Sequence, residues 1–302
     1  MQEKILITGG SGLIGSYLKD ILPNAIYVNS KDYNLLIEND VKKMFKEIKP
    51  DIVIHLAALV GGIHHNIEEP VRYFEENILM NTLVIRESFT NNVKNFVGIL
   101  SSCIYPDNIK KYPIKEAELI NGAPHKDLFS YSYAKRCMAI QIDMYNKKYN
   151  TNYNYLIPCN LYGEFDKFDS IKGHFVGALI EKIITAKKKG ENFITLFGDG
   201  SPYRQFMHAR DLAHILVLML KKKIFVSMNV ATNENYTVNE IAKIALKACG
   251  VDKFEIKYDN SKPNGQYRKD VDTTILNSYF PDFKPIKLSE GIREIFKKRY
   301  LS

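Results

Sequence analysis

The feature that most constrains the fold is an apolar run followed at once by three spaced glycines. Residues 4–8 (KILIT) suit a buried parallel strand, and Gly9, Gly12 and Gly15 follow them. A strand, a glycine turn and a helix together form an anion site, because the helix N-terminus presents unpaired amides and the positive end of its dipole. This stretch predicts a site for a dinucleotide pyrophosphate, formed by Gly9, Ser11, Gly12, Leu13, Ile14 and Gly15.

Strand-like and helix-like segments then alternate along the chain. Residues 24–28, 50–58 and 93–100 suit strands with their turns, and residues 40–48 and 75–90 suit helices. This alternation predicts an α/β fold with a doubly wound parallel sheet of the Rossmann type. Ligands of such sheets bind at the carboxyl ends of the strands, so the residues that follow each strand are the candidates for function.

The charge of the chain does not by itself indicate a nucleic-acid partner. The formal net charge is +8, and part of it comes from lysine runs at 187–189 and 221–223. Both runs lie at predicted helix ends, where cations are favoured. A nucleic-acid-binding protein would concentrate arginine and aromatic residues on one face, which these scattered runs do not. We expect no nucleic-acid partner.

Neither a membrane segment nor a metal site is predicted. The longest apolar run, residues 215–220, is too short to cross a bilayer, and no signal-peptide pattern is present. The cysteines show neither metal-type spacing nor the density of a disulfide-rich protein. A reducing cytoplasm is therefore the expected location. The four cysteines are Cys103, Cys137, Cys159 and Cys249.

The residues after the second predicted strand indicate which dinucleotide binds. A carboxylate directly at this strand end would bind the ribose hydroxyls and select NAD. Here Ser30 and Lys31 come first, and Asp32 is displaced. A hydroxyl and an ammonium can hold a 2′-phosphate, so the sequence predicts NADP(H). The alternative is that Lys31 is an ordinary lysine of a surface loop.

A tyrosine and a lysine one helical turn apart form the central catalytic candidate. Tyr131 and Lys135 share one face of a predicted helix, for which Ser130 is a candidate cap. A phenol has a pKa near ~10, and an ammonium nearby favours the phenolate. We therefore expect Lys135 to lower the pKa of Tyr131. By itself this spacing also occurs on exposed helix faces that have no catalytic role.

The chain resembles the extended short-chain dehydrogenase/reductases that act on nucleotide sugars, and within them the GDP-L-fucose synthase family. It also resembles related reductases of GDP-4-keto-6-deoxyheptose. The most specific matches are VGGI at residues 60–63 and SSCIYP at 101–106. Further matches are the glycine loop, Tyr131-x-x-x-Lys135, PCNLYG at 158–163, His174, GDGSPxR at 198–204 and SKPNG at 261–265.

This resemblance implies a substrate, a cofactor and an assembly. The substrate would be a GDP-linked 4-keto-6-deoxy sugar, either hexose or heptose, and the cofactor would be NADP(H). The product would be a GDP-6-deoxy sugar for surface polysaccharide, such as a capsule. A homodimer is also expected. The family does not fix which sugar is used or the configuration of the product.

The resemblance also implies interleaved domains. Residues 1–163 plus about 204–231 would form the dinucleotide-binding domain. About 164–203 plus 232–302 would form a smaller C-terminal α/β domain that binds the nucleotide sugar.

Catalytic roles follow from the resemblance residue by residue. Tyr131 would give a proton to the 4-keto oxygen, Lys135 would hold the nicotinamide ribose, and Ser101 would hydrogen-bond the keto oxygen. Ser101 and Cys103 are two apart, so on a strand both would point to the same side. Cys103 and His174 would exchange protons at C3 and C5 of the sugar. Alternatively, Cys103 is a small buried residue and His174 a satisfied polar one.

The remaining site predictions concern binding. Ala57 and Ala58 are small enough to let the cofactor pass close to the backbone, and Arg204 could bond a diphosphate bidentately. Phe197 could stack on a base. The complete prediction for cofactor contacts outside the glycine loop is Ser30, Lys31, Leu56, Ala57, Ala58 and Pro158. For substrate contacts it is Ser102, Asn160, Leu179, Phe197, Arg204 and Lys262.

Departures from the family pattern leave the chemistry open. Residues 122–130 do not follow the usual sequence, Leu59 replaces a lysine, Glu164 replaces a proline, and Phe197 replaces a tryptophan. These differences lie on the expected sugar side of the site, so they bear on the sugar and on epimerisation more than on reduction. The alternatives are a redox-neutral nucleotide-sugar 4-epimerase or 4,6-dehydratase with tightly bound NAD, and a dinucleotide-sensing binding protein.

Overall fold

The computed structural model describes residues 3–169, 173–262 and 264–301. Within them the elements are β1 (Ile5–Thr8), α1 (Leu13–Ile21), β2 (Ile26–Val28), α2 (Glu38–Ile48), β3 (Ile52–His55), α3 (Ile63–Glu68), α4 (Pro70–Thr90), β4 (Asn95–Ile99), α5 (Phe129–Tyr149), β5 (Asn152–Pro158), β6 (Asn160–Tyr162), α6 (Phe175–Lys189), β7 (Phe193–Phe197), β8 (Tyr203–Arg204), β9 (Phe206–His208), α7 (Ala209–Lys222), β10 (Met228–Val230), β11 (Tyr236–Thr237), α8 (Val238–Ala248), β12 (Glu255–Asp259), α9 (Thr274–Tyr279) and α10 (Leu288–Leu301).

A six-stranded sheet in the order β10-β5-β4-β3-β1-β2 organises the molecule. Every neighbouring pair in it is parallel. The strand order reverses at β1, because β2 pairs with one side of β1 and β3 with the other. Such a switch point opens a crevice at the carboxyl ends of the strands. The predicted fold class, a Rossmann-type parallel α/β sheet, is confirmed.

Two hydrophobic cores hold the described residues together. The larger one forms around the sheet. Leu6, Ile54 and Val97, on the neighbouring strands β1, β3 and β4, are fully or almost fully buried in it. Such unbroken apolar strands are typical of a sheet that is covered on both faces. The second core joins α6, β7, α8 and α10 through side chains such as Ile180 and Ile292. The boundaries given above for the dinucleotide-binding and nucleotide-sugar-binding domains remain a prediction.

Several element boundaries differ from those that the sequence indicated. Helix α1 begins at Leu13 directly after the glycine turn, and α4 begins at Pro70, whose missing N–H costs nothing in a first turn. Ser130 does not cap α5, because the helix already starts at Phe129 and no side chain caps it. The capping box of Thr237 with Glu240, at the start of α8, is present.

Pro263, part of the SKPNG match, lies outside the described residues. Among the helices of those residues, none is both long and apolar enough to cross a membrane.

Candidate active site

The glycine turn after β1 packs against the end of β3. Gly9 has a φ of +69°, and a side chain there would place its Cβ 2.7 Å from the backbone nitrogen of Ala57. A Cβ on Gly15 would lie 2.6 Å from the carbonyl oxygen of Gly10. Both positions therefore require glycine, as a tight strand-to-helix turn demands.

The N-terminus of α1 fits a pyrophosphate group. Gly12 is the N-terminal cap, no side chain caps the helix, and its first turn carries no acidic residue. Ser11 and Gly12 are exposed, and they adjoin the amides of the first turn, which have no acceptor within the helix. Leu13 and Ile14 supply two of these amides. This arrangement suits the phosphates of a dinucleotide.

A buried histidine that sequence reasoning missed supports this turn. His55 lies between Thr8 and Asn81, with Nδ1 2.7 Å from the Thr8 hydroxyl and Nε2 3.0 Å from Asn81 Oδ1. Burial lowers the pKa of His55 to about 3, so its ring is neutral. The Thr8 hydroxyl in turn accepts a hydrogen bond of 3.4 Å from the Ala57 amide. This chain of bonds connects the ends of β1 and β3 beneath the cofactor turn.

The loop after β2 places the predicted 2′-phosphate ligands at the surface. The side chains of Ser30 and Lys31 are exposed. Asp32 folds back toward the strand end, and its Oδ2 accepts a hydrogen bond of 2.8 Å from the Asn29 amide. The Lys31 amide donates to Asn29 Oδ1 over 2.8 Å. The Asp32 carboxylate is thus held by the turn, and it lies nearer the strand end than its place in the sequence suggested.

Tyr131 and Lys135 lie on α5, beside the end of β4. Lys135 is 2% exposed, and its Nζ donates to the carbonyl oxygen of Ile99 over 2.8 Å. The same Nζ lies 6.0 Å from the centroid of the Tyr131 ring. Burial lowers the pKa of Lys135 to about 8.

The expected lowering of the Tyr131 pKa does not occur. Burial raises this pKa above its ordinary value, and Cys103 and Tyr73 raise it further. The physical reason is that burial takes the charged phenolate out of water, which favours the neutral phenol. Tyr131 therefore keeps its proton at neutral pH.

The residues after β4 turn away from the strand direction. Ser101 is extended, but Ser102–Ile104 form a 3-10 turn. The prediction that Ser101 and Cys103 point to the same side of a strand is therefore wrong, because Cys103 lies in the turn and not on a strand. Ser102 and Cys103 are buried, and Cys103 influences the pKa values of both Tyr131 and Lys135, so the turn lies close to these side chains.

His174 forms an ion pair that the sequence did not reveal. It is the N-terminal cap of α6, and its Nδ1 lies 2.8 Å from Asp166 Oδ1. This hydrogen bond raises the pKa of His174. The Asp166 side chain is 4% exposed, whereas that of His174 is 42% exposed. The carboxylate is thus buried behind a ring that remains accessible.

Two cations, Arg204 and Lys269, lie close enough to influence each other. Arg204 donates to the carbonyl oxygens of Tyr203 and Gln266, both at 2.7 Å, and of Asn264 at 3.2 Å. Within the described part of the chain, Arg204 is thus held by backbone carbonyl oxygens and pairs with no carboxylate. Burial lowers the pKa of Arg204 to about 10 and that of Lys269 to about 8, the latter with a contribution from Arg204.

An aromatic ring and a lysine form a third binding element. Phe197 at the end of β7 is 40% exposed. Lys182 of α6 places its Nζ 4.4 Å from the centroid of this ring and also donates to the Thr195 carbonyl over 2.8 Å. Sequence reasoning missed Lys182 and Lys269, because both contacts depend on how separate elements pack: Lys182 of α6 reaches β7, and Lys269 reaches Arg204 from a segment far along the chain.

The remaining predicted residues lie at the ends of strands, in a surface loop or in the second hydrophobic core. Leu56, Ala57 and Ala58 follow β3, and Pro158 ends β5. The Asn160 amide group donates to the Gln205 carbonyl over 2.8 Å, and Lys262 is exposed in the loop after β12. Leu179 is 1% exposed in the second core, a placement that gives no support to its predicted contact with a sugar. No cluster of metal-ligating side chains occurs within the described ranges.

Comparisons with known proteins agree with this geometry. The model of the NAD dependent epimerase/dehydratase family matches residues 5–231. The GDP-L-fucose synthase of Dictyostelium discoideum is 33% identical over 97% of this chain and 94% of that protein. The Naegleria fowleri GDP-L-fucose synthetase bound to NADP has a TM-score of 0.88 at 28% identity, covering 100% of this chain and 96% of that one.

A heptose-processing enzyme is similar to the same degree. MlghC, the GDP-mannoheptose C4 reductase of Campylobacter jejuni with NADP bound, has a TM-score of 0.87 at 26% identity and covers 100% of both chains. The resemblance predicted from the motifs is therefore confirmed, and the chain belongs to the NAD dependent epimerase/dehydratase family.

Proposed function

We propose that this protein is an NADPH-dependent reductase of a GDP-linked 4-keto-6-deoxy sugar. One observation carries the proposal. Lys135 is anchored to Ile99 at the carboxyl end of β4, which brings the Tyr131–Lys135 helix against the turn that contains Ser101 and Cys103. These side chains can supply the proton and the hydrogen bonds that reduction of a ketone requires. They lie at the edge of the sheet where a dinucleotide binds.

NADP(H) fits the residues at this edge. The uncapped N-terminus of α1 would hold the pyrophosphate, and the exposed Ser30 and Lys31 would hold the 2′-phosphate. When bound, NADPH supplies a hydride to C4 of the sugar. Two structures similar to this chain contain NADP, which supports the choice.

The chain's own residues manage the proton. Tyr131 is a neutral phenol because burial raises its pKa, so it can donate a proton to the 4-keto oxygen as C4 is reduced. The buried Lys135 stabilises the phenolate that remains. Ser101 would hydrogen-bond the same keto oxygen and orient the substrate. Acid catalysis of this kind contributes ~10²–10⁴-fold to a rate.

The second binding region suits a guanosine diphosphate. Arg204 and Lys269 place two cations together, with only carbonyl oxygens as described partners of Arg204, which leaves positive charge for a diphosphate. Phe197 offers a face for a base, and Lys182 at its ring could donate to the O6 and N7 acceptors that distinguish guanine.

Epimerisation at C3 and C5 is the second candidate activity. The 4-ketone makes these protons acidic, because it stabilises the enolate that forms when one is removed. Cys103 would take the proton as a thiolate, and His174 would return one on the other face. The pairing of His174 with the buried Asp166 favours this reading, because it keeps the imidazole protonated to a higher pH.

We also propose a homodimer formed by α4 and α5. These helices pack side by side, and both expose apolar side chains, with Val71 at 65% and Met144 at 63%. A second copy would bury these surfaces. Light scattering after size exclusion should give twice the chain mass, and a Val71→Lys/Met144→Lys double variant should give a monomer.

A cytoplasmic location is supported by free thiols at Cys103, Cys137, Cys159 and Cys249.

A substrate panel tests the function directly. The purified protein would be incubated with NADPH and with GDP-4-keto-6-deoxy hexoses and heptoses, and the product configuration would be read by NMR. A reductase consumes one NADPH for each sugar reduced. Sugar conversion without net NADPH consumption would instead indicate the redox-neutral epimerase or dehydratase. Binding of NADPH without conversion of any sugar would indicate a sensing protein.

A further inference from the structure

Arg136, the residue after Lys135, bridges two segments that flank the candidate site. Its Nε donates to the carbonyl oxygen of Ile104 over 3.0 Å, and its Nη2 donates to the same oxygen. Its Nη1 donates to the carbonyl oxygen of Gly122 over 2.7 Å. The side chain is buried, and its guanidinium carbon lies 5.1 Å from the centroid of the Tyr133 ring.

Burial of the charged Arg136 side chain is unfavourable in itself, so its hydrogen bonds must compensate for the lost water. Burial lowers the pKa of Arg136, which means that the charged form is desolvated. No carboxylate pairs with it among the residues that the structure describes. Buried guanidinium groups are expensive unless fixed hydrogen bonds replace the water they lose. Here carbonyl oxygens alone provide those bonds.

The bonds of Lys135 and Arg136 bracket the candidate catalytic turn. Lys135 holds the carbonyl of Ile99 before the turn, and Arg136 holds the carbonyl of Ile104, the last residue of the turn. The turn between these two anchors contains Ser101, Ser102 and Cys103. Both cations belong to the helix that carries Tyr131, so the separation between the turn and Tyr131 is fixed at two points.

Gly122 adapts the neighbouring loop to the same arginine. Its φ is +149°, and a Cβ there would lie 3.2 Å from the Cβ of Pro106. Glycine therefore lets the loop pass close to Pro106 while its carbonyl faces Arg136. This loop begins the segment 122–130, which departs from the family pattern and leads directly into α5.

We propose that Arg136 is a positioning residue that fixes the turn of residues 101–104 against the helix of Tyr131 and thereby sets Ser101 and Cys103 for their steps on the sugar. The inference rests on the proposed function for its effect on turnover. Its effect on the position of Cys103 is independent of that function. A displacement of a catalytic group by about 1 Å can cost on the order of 10²-fold in rate.

The experiment compares Arg136→Met and Arg136→Lys with Arg210→Met in the full chain. Arg210 is a partly exposed arginine of α7 that pairs with Glu294 and is the matched control. The first readout is alkylation by iodoacetamide with NADPH present, quantified by peptide mass spectrometry at Cys103 and at Cys249. Both thiols are buried, at 6% and 3% exposure, and Cys249 lies in the second core as an internal reference. The second readout is kcat for NADPH oxidation with GDP-4-keto-6-deoxymannose.

Loss of the bridge should free the turn without unfolding the protein. In Arg136→Met the alkylation rate of Cys103 relative to Cys249 should rise several-fold, and kcat should fall by on the order of 10²-fold. NADPH affinity should stay unchanged. A lysine at position 136 can reach one of the two carbonyl oxygens but not both, so Arg136→Lys should give an alkylation rate and a kcat between those of Arg136→Met and wild type. It also serves as the test variant if Arg136→Met does not fold. Arg210→Met should match wild type in both readouts.

The outcomes separate the inference from the proposed function. If Cys103 stays as unreactive in the folded Arg136 variants as in wild type, the positioning role is wrong, whatever the activity. If Cys103 becomes reactive and kcat falls only as far as in Arg210→Met, the role in catalysis is overturned. A wild-type protein that turns over no keto sugar rejects the proposed function, and the alkylation result still decides whether Arg136 fixes the turn.

Discussion

Nδ1 of His174 lies 2.8 Å from Oδ1 of Asp166, and the two side chains are buried to very different extents. The carboxylate is enclosed, and the ring is accessible on its other side. A buried carboxylate that must keep its charge favours a cationic partner. This relationship explains why the pKa of His174 is raised, because the bond to Asp166 outweighs the opposing effects of burial and of Lys167.

The first prediction uses this relationship. In Asp166→Asn the carboxylate is lost, so the pKa of His174 should fall toward its ordinary value. If His174 donates a proton during epimerisation, deuterium exchange from solvent into the sugar declines as pH rises through this pKa. The variant should therefore show the decline at lower pH than wild type. NMR of the exchanged sugar across a pH series measures it.

The control for this prediction is Glu181→Gln on the same helix, where the carboxylate pairs with Arg299 instead. It should leave the pH profile unchanged. An Asp166→Asn protein with the wild-type profile would show that the ion pair does not govern the proton donor.

The second prediction concerns the redox step. Tyr131→Phe removes the phenolic proton but keeps the ring, so GDP-sugar binding should persist while kcat for NADPH oxidation falls by ~10²–10⁴-fold. Tyr133→Phe is the control, because Tyr133 lies two residues further along and contacts Arg136 through its ring face. Near-normal kcat in Tyr131→Phe would refute the central assignment.

The third prediction concerns cofactor choice. The exposed Ser30 and Lys31 should make kcat/KM higher with NADPH than with NADH. Lys31→Ala should reduce this preference, because it removes the ammonium that would pair with the 2′-phosphate. Lys43→Ala, an exposed lysine of α2, should not change it. A wild-type preference for NADH would contradict the proposed cofactor, and an unchanged preference in Lys31→Ala would contradict the assigned residue.

The fourth prediction separates backbone strain from close packing in the cofactor turn. Gly9 and Gly190 have nearly equal φ values of +69° and +71°, but a Cβ at Gly190 meets nothing within 4 Å. Gly190→Ala should lower the free energy of unfolding by about 1–2 kcal/mol from strain alone. Gly9→Ala should cost more, because its Cβ meets Ala57, and it should weaken NADPH binding as well.

Denaturant unfolding and NADPH titration of both glycine variants give the comparison. Equal losses of stability with unchanged NADPH affinity would mean that the turn tolerates a side chain and that the contact with Ala57 does not shape the cofactor site.

Local patterns in the sequence predicted the fold and the two main motifs. The glycine turn and the helix of Tyr131 and Lys135 depend on residues within one or two turns of each other, so spacing alone located them. The Asp166–His174 pair could not be found this way, because the two residues are eight positions apart in the sequence and share no helix or strand. The direction of the Tyr131 pKa depends on burial, which spacing does not report.

Contacts between distant elements were also beyond sequence reasoning. Lys269 and Arg204 are far apart in the chain, and their proximity arises only when the loop after β12 folds back over β8. The 3-10 turn of Ser102–Ile104 directly follows an apolar run, so the sequence pattern predicts that the strand continues through Ser101 and Cys103.

The last prediction divides the two chemistries of the proposed site. Reduction at C4 uses Tyr131, Lys135 and Ser101 together with NADPH, whereas epimerisation needs a base that can remove a proton from carbon. Cys103 is the candidate base, and a serine hydroxyl is far less acidic than a thiol, so Cys103→Ser keeps the size of the side chain but loses the base. The variant should reduce an already correctly configured 4-keto sugar at nearly the wild-type rate. It should incorporate no solvent deuterium at C3 or C5, where the wild type does.

A wild type without deuterium at either carbon would be a reductase alone, and Cys103 would then be a buried residue of the pocket. Loss of reduction in Cys103→Ser would instead mean that the thiol takes part in the C4 step, for which the close approach of the turn to Tyr131 provides the route.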